Sequence, residues 1–375
     1  MKIIGVNNPR TSYYVGGAEM VAMEHAKAMV ACGFVVYFFT INPISIKRKY
    51  SEQYVNFKHA YNNKIHFIEI CMNQKYMIAY ESFTDEKKAR WYTESMYYNR
   101  ELYNALNTLN LNFDVLLSYF NLDAVTIPTQ KVKINILYLC GIPEDESLFR
   151  FAFLAMYDRI VAITQETKSY WQKYSLQPIS VVHTGVDIKR FSKRQKNISN
   201  TLRLVFLGRL IDRKGCHVLL KALAGIPHEI LQHIYLDIVG DGPSKQKLLT
   251  LVNKYKLTNV VRFCGETSCP EKFLKNSDIA IFPSLYGEGL QGVVLEAMAS
   301  GLCVIATNTK TNKKLLIPKR GFLIKPNNYK SISNQILFCF NNKNTIAIYG
   351  ENAHNLVAKK YDWIQKTKQL LGDTI

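Results

Sequence analysis

Two cations and two carboxylates are spaced in a way that could do chemistry. Arg209 and Lys214 lie five positions apart in "GRLIDRKG" (208–215), and Glu288 and Glu296 lie eight apart in "YGEGLQGVVLEAMASG" (286–301). An Arg and a Lys beside the free N–H groups of a helix start make an anion site, and two cations suit a diphosphate. The alternative is an ordinary solvated surface, where most Arg and Lys stand. A carboxylate accepts hydrogen bonds well, so paired sugar hydroxyls are suitable donors to Glu288 and Glu296. The neighbours of Glu296 are Val, Leu, Ala and Met, and a carboxylate in that company needs a partner. Glycines 287, 289 and 292 would let backbone N–H groups approach the same ligand.

These side chains need elements to hold them. "LRLVFLG" (202–208) reads as a buried strand ending at Gly208, with Arg209 in the loop. Asp212 is then expected to cap a helix whose first turn holds Lys214 and Gly215. "DIAIFPS" (278–284) reads as another strand, "LYGEG" as the loop after it, and a helix is expected from Leu290–Gln291. On one continuous helix, eight residues at about 100° each would set the two acids about 80° apart. The loop removes that constraint, so both can face one extended ligand.

The rest of the chain alternates in the same way. Strand "KIIGV", a polar glycine loop, a helix over 18–31 closed by Gly33 and strand "FVVYFFT" make a βαβ unit. Residues 43–105 are rich in tyrosine and hold Trp91; strand "KIHFIEI" and a long helix near 84–109 are expected there. Strands "FDVLLSY", "INILYLC" and "RIVAIT" continue the series. Around "SVVHTGVDIKRF" (180–191) and "SKRQKNISN" the pattern gives way to a linker. A second β/α series runs from 202, with strands "IYLDIVG", "VVRFCG", "CVIATN" and "GFLIKP", and the segment 351–371 reads as one or two helices. Two such series predict two doubly wound α/β domains, with ligand beyond the carboxyl ends of the strands.

Bulk properties agree with two globular domains: 375 residues, 48% hydrophobic and 21% charged. No run approaches the ~18 apolar residues of a membrane span, and "MKIIGVNNPR" turns polar too soon for a signal-peptide core. Eight cysteines without a CxxC pair read as reduced thiols of a cytoplasmic protein. The net charge of +19 is lopsided: residues 1–186 hold 19 Lys+Arg against 16 Asp+Glu, and 187–375 hold 29 against 13. The second half therefore suits an anionic partner: a phosphorylated ligand, an anionic membrane surface or nucleic acid.

The set "GGAE" (16–19), "GVD…F" (185–191), "GRLIDRKG" (208–215), "VGDGP" (239–243) and "EGLQGVVLEAMASG" (288–301) resembles the family 4 retaining glycosyltransferases. The resemblance covers residues 1–40 and 157–340 and is strongest over 202–306. It implies a GT-B architecture: two Rossmann-like doubly wound domains facing across a cleft, with a C-terminal helix crossing back. The domains would be 1–186 with 355–375, binding acceptor, and 187–354, binding donor. Arg209 and Lys214 would hold the donor diphosphate, Glu288 would sit by the donor sugar and Glu296 would take the ribose hydroxyls. The backbone of Gly289, Leu290, Gln291 and Gly292 would approach sugar and phosphate, and Gly16 and Gly17 would close on the phosphates. The expected catalytic set is thus Arg209, Lys214 and Glu288.

The implied reaction moves a sugar from a UDP- or GDP-sugar to a glycan or lipid-linked acceptor of a surface polysaccharide. No cofactor is expected. No DxD motif occurs, so a metal-bridged diphosphate is not indicated and the two cations take the metal's place. One departure bears on activity: "YLCGIP" puts Cys140 where the family often has a histidine, and a thiol is a poor hydrogen-bond donor. The rival readings are an impaired donor-binding subunit and a nucleic-acid binder, although no recognised nucleic-acid motif appears. His25 and His183 read as structural. The expected location is cytoplasmic, with the basic second half either solvated or touching the inner face of the cell membrane.

Overall fold

The computed structural model describes residues 1–73, 75–78, 87–120, 130–142, 152–193, 200–286 and 292–372. The chain forms two compact units, Met1–Thr184 with Trp363–Ile375, and Gly185–Asp362. All eight cysteines are free. Among the described residues no helix is long and apolar enough to cross a membrane.

Unit 1 is built on a seven-stranded parallel sheet: β1 Ile3–Asn7, β2 Val35–Ile41, β3 Ile65–Ile70, β4 Val115–Phe120, β5 Asn135–Leu139, β6 Arg159–Ala162 and β7 Ile179–Val181. The spatial order is β3-β2-β1-β4-β5-β6-β7. Its strands are near-continuous apolar runs because helices cover both faces of a parallel sheet. The helix Gly17–Ala31 is one of these, packing Val21, Ala22, Ala26 and Met29 onto Ile4, Val6, Phe38 and Leu117. Within 43–105 the expected strand is β3 and the long helix is Lys87–Thr108, joined by a further helix, Glu52–Tyr61, that Ser51 caps through the Tyr54 N–H. The side chain of Trp91 lies outside the described ones.

Unit 2 repeats the plan with six parallel strands: β8 Leu202–Leu207, β9 Ile234–Val239, β10 Val261–Gly265, β11 Ile279–Phe282, β12 Cys303–Thr307 and β13 Gly321–Ile324. Their order is β10-β9-β8-β11-β12-β13, so the winding reverses between β8 and β11. One face carries Leu204, Phe206 and Ile281 against Leu219, Leu223 and Ile336. The other carries Val205, Ala280 and Phe282 against Val294, Leu295, Met298 and Val357. Burying one such Leu or Ile side chain contributes about 1.5–3 kcal/mol, so alternation of inward faces fixes the register of every strand.

The unit limits fall at other residues than 186/187 and 354/355. The Val186 N–H donates to Tyr361 O at 2.7 Å, and Val186 bridges Asp362, so both ends of unit 2 leave side by side. The helix Lys343–Lys360 is unbroken, and its Gly350 lies so close to Gly301 O that no side chain would fit. Residues 355–362 therefore stay with unit 2. The return begins at Trp363, whose helix, Trp363–Leu371, buries Leu370 and Leu371 in the core of unit 1. Arg159 fastens that helix end by donating to Leu371 O (2.8 Å) and Leu370 O (3.2 Å).

Candidate functional site

In an open α/β sheet the ligand crevice lies beyond the carboxyl ends of the strands where the winding reverses. In unit 2 that position is flanked by the loop after β8, carrying Arg209 and Lys214, and by the loop after β11, leading to Glu288. Arg209 and Lys214 thus follow the carboxyl end of the central strand β8. Glu288, Gly289, Leu290 and Gln291 lie outside the described residues.

The turn after β8 is held from three sides. Gly208 N–H donates to Val239 O (3.0 Å), and Leu210 N–H donates to Asp241 O (2.9 Å). Gly240 sits at φ 138° against Gly208 O, where any added Cβ would overlap the carbonyl; only glycine fits, which explains the "VGDGP" segment. Gly215, at φ 70°, is pressed in the same way against Pro283 O. Leu285 N–H donates to Arg213 O (2.7 Å), and Thr307 Oγ1 donates to Ser284 O (2.7 Å). The base of the Glu288 loop is thereby clamped to the turn that carries Lys214.

One local expectation is corrected. Asp212–Lys214 is a 3-10 turn, and the helix Cys216–Ala224 starts after Gly215, so Lys214 and Gly215 precede the helix and do not form its first turn. Asp212 does not cap it either. Its carboxylate accepts from Ser244 Oγ at 3.0 Å and Lys247 Nζ at 3.2 Å, tying the turn to the helix Lys245–Lys254. Those two donors hold Asp212 below the usual carboxylate range. A glycine in the left-handed region ends the tight turn and lets the helix begin in a new direction, which a capping aspartate could not do.

Arg209 is exposed, and among the described residues its guanidinium has no partner. Lys214 is half-buried, and Glu296 is half-buried in the second turn of the helix Gly292–Ala299. The helix is anchored by Val294, Leu295, Ala297 and Met298, which accounts for the apolar company of Glu296. Gly292, its first residue, has no neighbour on its Cβ side among the described residues. In "GVD", Asp187 Oδ1 accepts from the N–H of Lys189 and Arg190, and Arg190 pairs with Glu271 (2.9 Å) and Ser268 O (2.6 Å). That motif thus steadies the start of unit 2.

In unit 1 the loop after β1 leads to Gly16 and Gly17 at the start of the helix Gly17–Ala31. The Gly16 N–H donates to the Glu19 carboxylate at 2.9 Å, so one of the helix-start donors is already taken, while Gly17 has open space on its Cβ side. Cys140 is partly buried at the end of β5, and burial, then Glu19, pushes its thiol up, so it stays protonated at neutral pH. Trp171 Nε1 pins the next carbonyl, Gly141 O, at 3.0 Å.

His25 and His183 take structural places. The His25 ring is buried between Tyr119, Tyr138 and Trp363, with Nδ1 2.6 Å from Tyr119 Oη; burial depresses its pKa to about 3. His183 Nδ1 lies 2.8 Å from Ile163 O. Among the described residues no group of three His, Cys, Asp or Glu could hold a metal ion.

A buried polar network went unread in the sequence. Glu94, 2% exposed, accepts from Tyr13 Oη and from Tyr76 Oη (3.3 Å), with Arg10 Nε at 3.8 Å and Arg48 Nη2 at 3.9 Å. Tyr98 Oη donates to Asn7 Oδ1 (2.7 Å), whose amide reaches Ser118 Oγ (3.0 Å). The polar loop "NNPRTSYY" was its available signal.

Residues 187–356 match the model of the glycosyl transferases group 1 family. The uncharacterized glycosyltransferase MJ1069 of Methanocaldococcus jannaschii is 29% identical over 223 residues, 56% of this chain and 57% of that protein. The capsular polysaccharide biosynthesis glycosyltransferase CapH of Staphylococcus aureus is 29% identical over 136 residues, 36% of this chain and 38% of that protein. The chain thus spans about half or less of the length of these curated relatives. The crystal structure of Anabaena Alr3699/HepE in complex with UDP and glucose superposes with a TM-score of 0.73 at 17% identity, covering 99% of this chain and 98% of that one. The fold is that of the GT-B glycosyltransferases.

Proposed function

Since residues 187–356 match the model of the glycosyl transferases group 1 family and the fold is GT-B, we propose that this protein transfers a sugar from a nucleoside diphosphate sugar to a glycan or lipid-linked acceptor. The observation that carries the reading is the pair Arg209 and Lys214 on one clamped turn at the reversal point of the unit 2 sheet, with Arg209 unpaired among the described residues. The UDP in the HepE complex and the capsule role of CapH support a nucleotide-sugar donor and a surface polysaccharide acceptor.

In the proposed reaction the bond from C1 of the sugar to the β-phosphate oxygen breaks, and its electron pair leaves with the diphosphate. Arg209 and Lys214, carried on a turn whose backbone is clamped in advance, stabilise that charge and take the place of a metal. The acceptor oxygen bonds C1 on the face the phosphate leaves, which retains configuration, and its proton passes to the departing diphosphate. Glu296 binds the ribose hydroxyls and Glu288 the sugar. Cys140, protonated by burial, takes no proton. Gly16 and Gly17 contribute Gly17 as the closer approach to phosphate.

The test is a transfer assay on the sugar donor found by thermal shift with UDP-, GDP- and ADP-sugars. Lys214→Ala and Glu288→Ala are each expected to lower kcat/KM by at least ~100-fold with unchanged thermal unfolding. Wild-type turnover in either variant would overturn the assigned site.

A further inference from the structure

Residues 297–350 contain eight Lys or Arg and no Asp or Glu. That is a run of one sign, bounded by Glu296 and by Glu351, whose carboxylate is already paired with Lys193. Lys310, Lys313, Lys314, Lys319, Lys325 and Lys330 are all exposed, and none has a partner among the described residues. The other two cations are engaged: Arg320 donates to Leu315 O (2.6 Å) and Lys314 O (3.1 Å), and Lys343 donates to Asn200 Oδ1 (3.3 Å). Unpaired like charges on neighbouring elements repel unless a polyanion meets them.

Large apolar side chains stand among these lysines. Ile317 is 42% exposed, Phe338 45% and Ile348 54%. They are joined into one patch along edge strand β13. Asn352, one helical turn beyond Ile348, donates to Lys319 O (2.9 Å), which brings Ile348 beside the Ile317–Lys319 loop. Phe322 of β13 lies 5.6 Å from the Phe338 ring and 5.0 Å from the Tyr349 ring, next to Ile348. Lys319 precedes the strand and Lys325 follows it.

We infer that this face of unit 2 docks on an anionic lipid bilayer, with the lysines at headgroup phosphates and Ile317, Phe338 and Ile348 reaching the acyl boundary. A free polyanion such as nucleic acid is met by the cations alone and has no use for three half-exposed aliphatic and aromatic side chains. A bilayer surface takes both, since its headgroup layer is charged and the layer beneath is apolar. The inference does not depend on the proposed transferase activity, because none of these residues belongs to the donor site.

The experiment is vesicle co-sedimentation of the full chain. Binding is expected to phosphatidylcholine vesicles with about 30% phosphatidylglycerol and not to phosphatidylcholine alone. It should fall steeply as salt rises. Each lysine near such a surface contributes roughly a fivefold factor, so Lys313→Glu, Lys314→Glu and Lys319→Glu together should weaken partition by at least ~100-fold. Thermal unfolding and donor binding by that variant should match the wild type. Lys47→Glu with Lys49→Glu, in unit 1, should leave partition unchanged. Ile348→Ser with Phe338→Ser should weaken partition on vesicles and leave any binding to a DNA oligonucleotide as it was. Undiminished partition of the triple variant overturns the inference. So does DNA binding as tight as vesicle binding at equal salt, or failure of the wild type to bind anionic vesicles.

Discussion

Units 1 and 2 share one architecture and put their polarity in opposite places. Of the 24 buried polar or charged side chains among the described residues, 17 are in unit 1 and 7 in unit 2. In formal charge the imbalance reverses: unit 1 has 21 Lys+Arg against 17 Asp+Glu, and unit 2 has 27 against 12. Unit 1 buries Tyr54, Tyr76, Tyr98, Tyr119, Tyr138 and Trp171, whose polar tips must all find partners; unit 2 buries Leu, Ile and Val. A doubly wound sheet therefore does not require a particular interior chemistry. Unit 1 is specified by directional bonds that fail one at a time, and unit 2 by packing volume and by glycine contacts.

That contrast can be broken most severely at Glu94. Glu94→Ala leaves Arg10 buried without its carboxylate and should cost about 3–5 kcal/mol, measured by denaturant unfolding. A loss under about 1 kcal/mol would mean the network is ornamental. In unit 2 the counterpart is steric: Gly215→Ala would set a Cβ into Pro283 O at a positive φ and should cost about 2–3 kcal/mol, with donor binding lost. The next test is acid. His25 is neutral in the fold, with its pKa near 3, and it binds a proton near pH 6.5 once unfolded. Its contribution is complete above pH 6.5 and is lost as pH falls toward 3. Wild-type stability should therefore drop by about 1 kcal/mol per pH unit more steeply than that of His25→Gln between pH 6 and 4. Parallel pH profiles would refute this. The smallest effect is expected from Lys247→Ala, which removes an exposed ion pair of unit 2 and should change stability by less than ~0.5 kcal/mol.

Legibility followed the same divide. Strands such as "LRLVFL" and "CVIAT" announce themselves because a parallel sheet buried on both faces needs unbroken apolar runs, and those appear where expected. The turn after β8 was legible since Gly208 marks the strand end that Arg209 and Lys214 follow. The start of the next helix was not: sequence puts Asp212 in a capping position, whereas the backbone spends Gly215 on a left-handed turn that depends on Pro283, nearly seventy residues away. The Glu94 network was illegible for a like reason. Its members come from positions 10, 13, 48, 76 and 94, and no spacing rule joins residues that meet only through tertiary packing.

The adjacent ends of unit 2, tied by Val186 and Tyr361, have a consequence for biogenesis. Unit 2 is an insertion in the chain of unit 1, and its own strands are complete before Trp363 is synthesised. Unit 1 cannot seal the side that Trp363, Leu370 and Leu371 occupy until those residues leave the ribosome. The half that is translated first is thus the half that closes last, and His25 with its ring of tyrosines stays open to solvent and chaperones until the final helix docks.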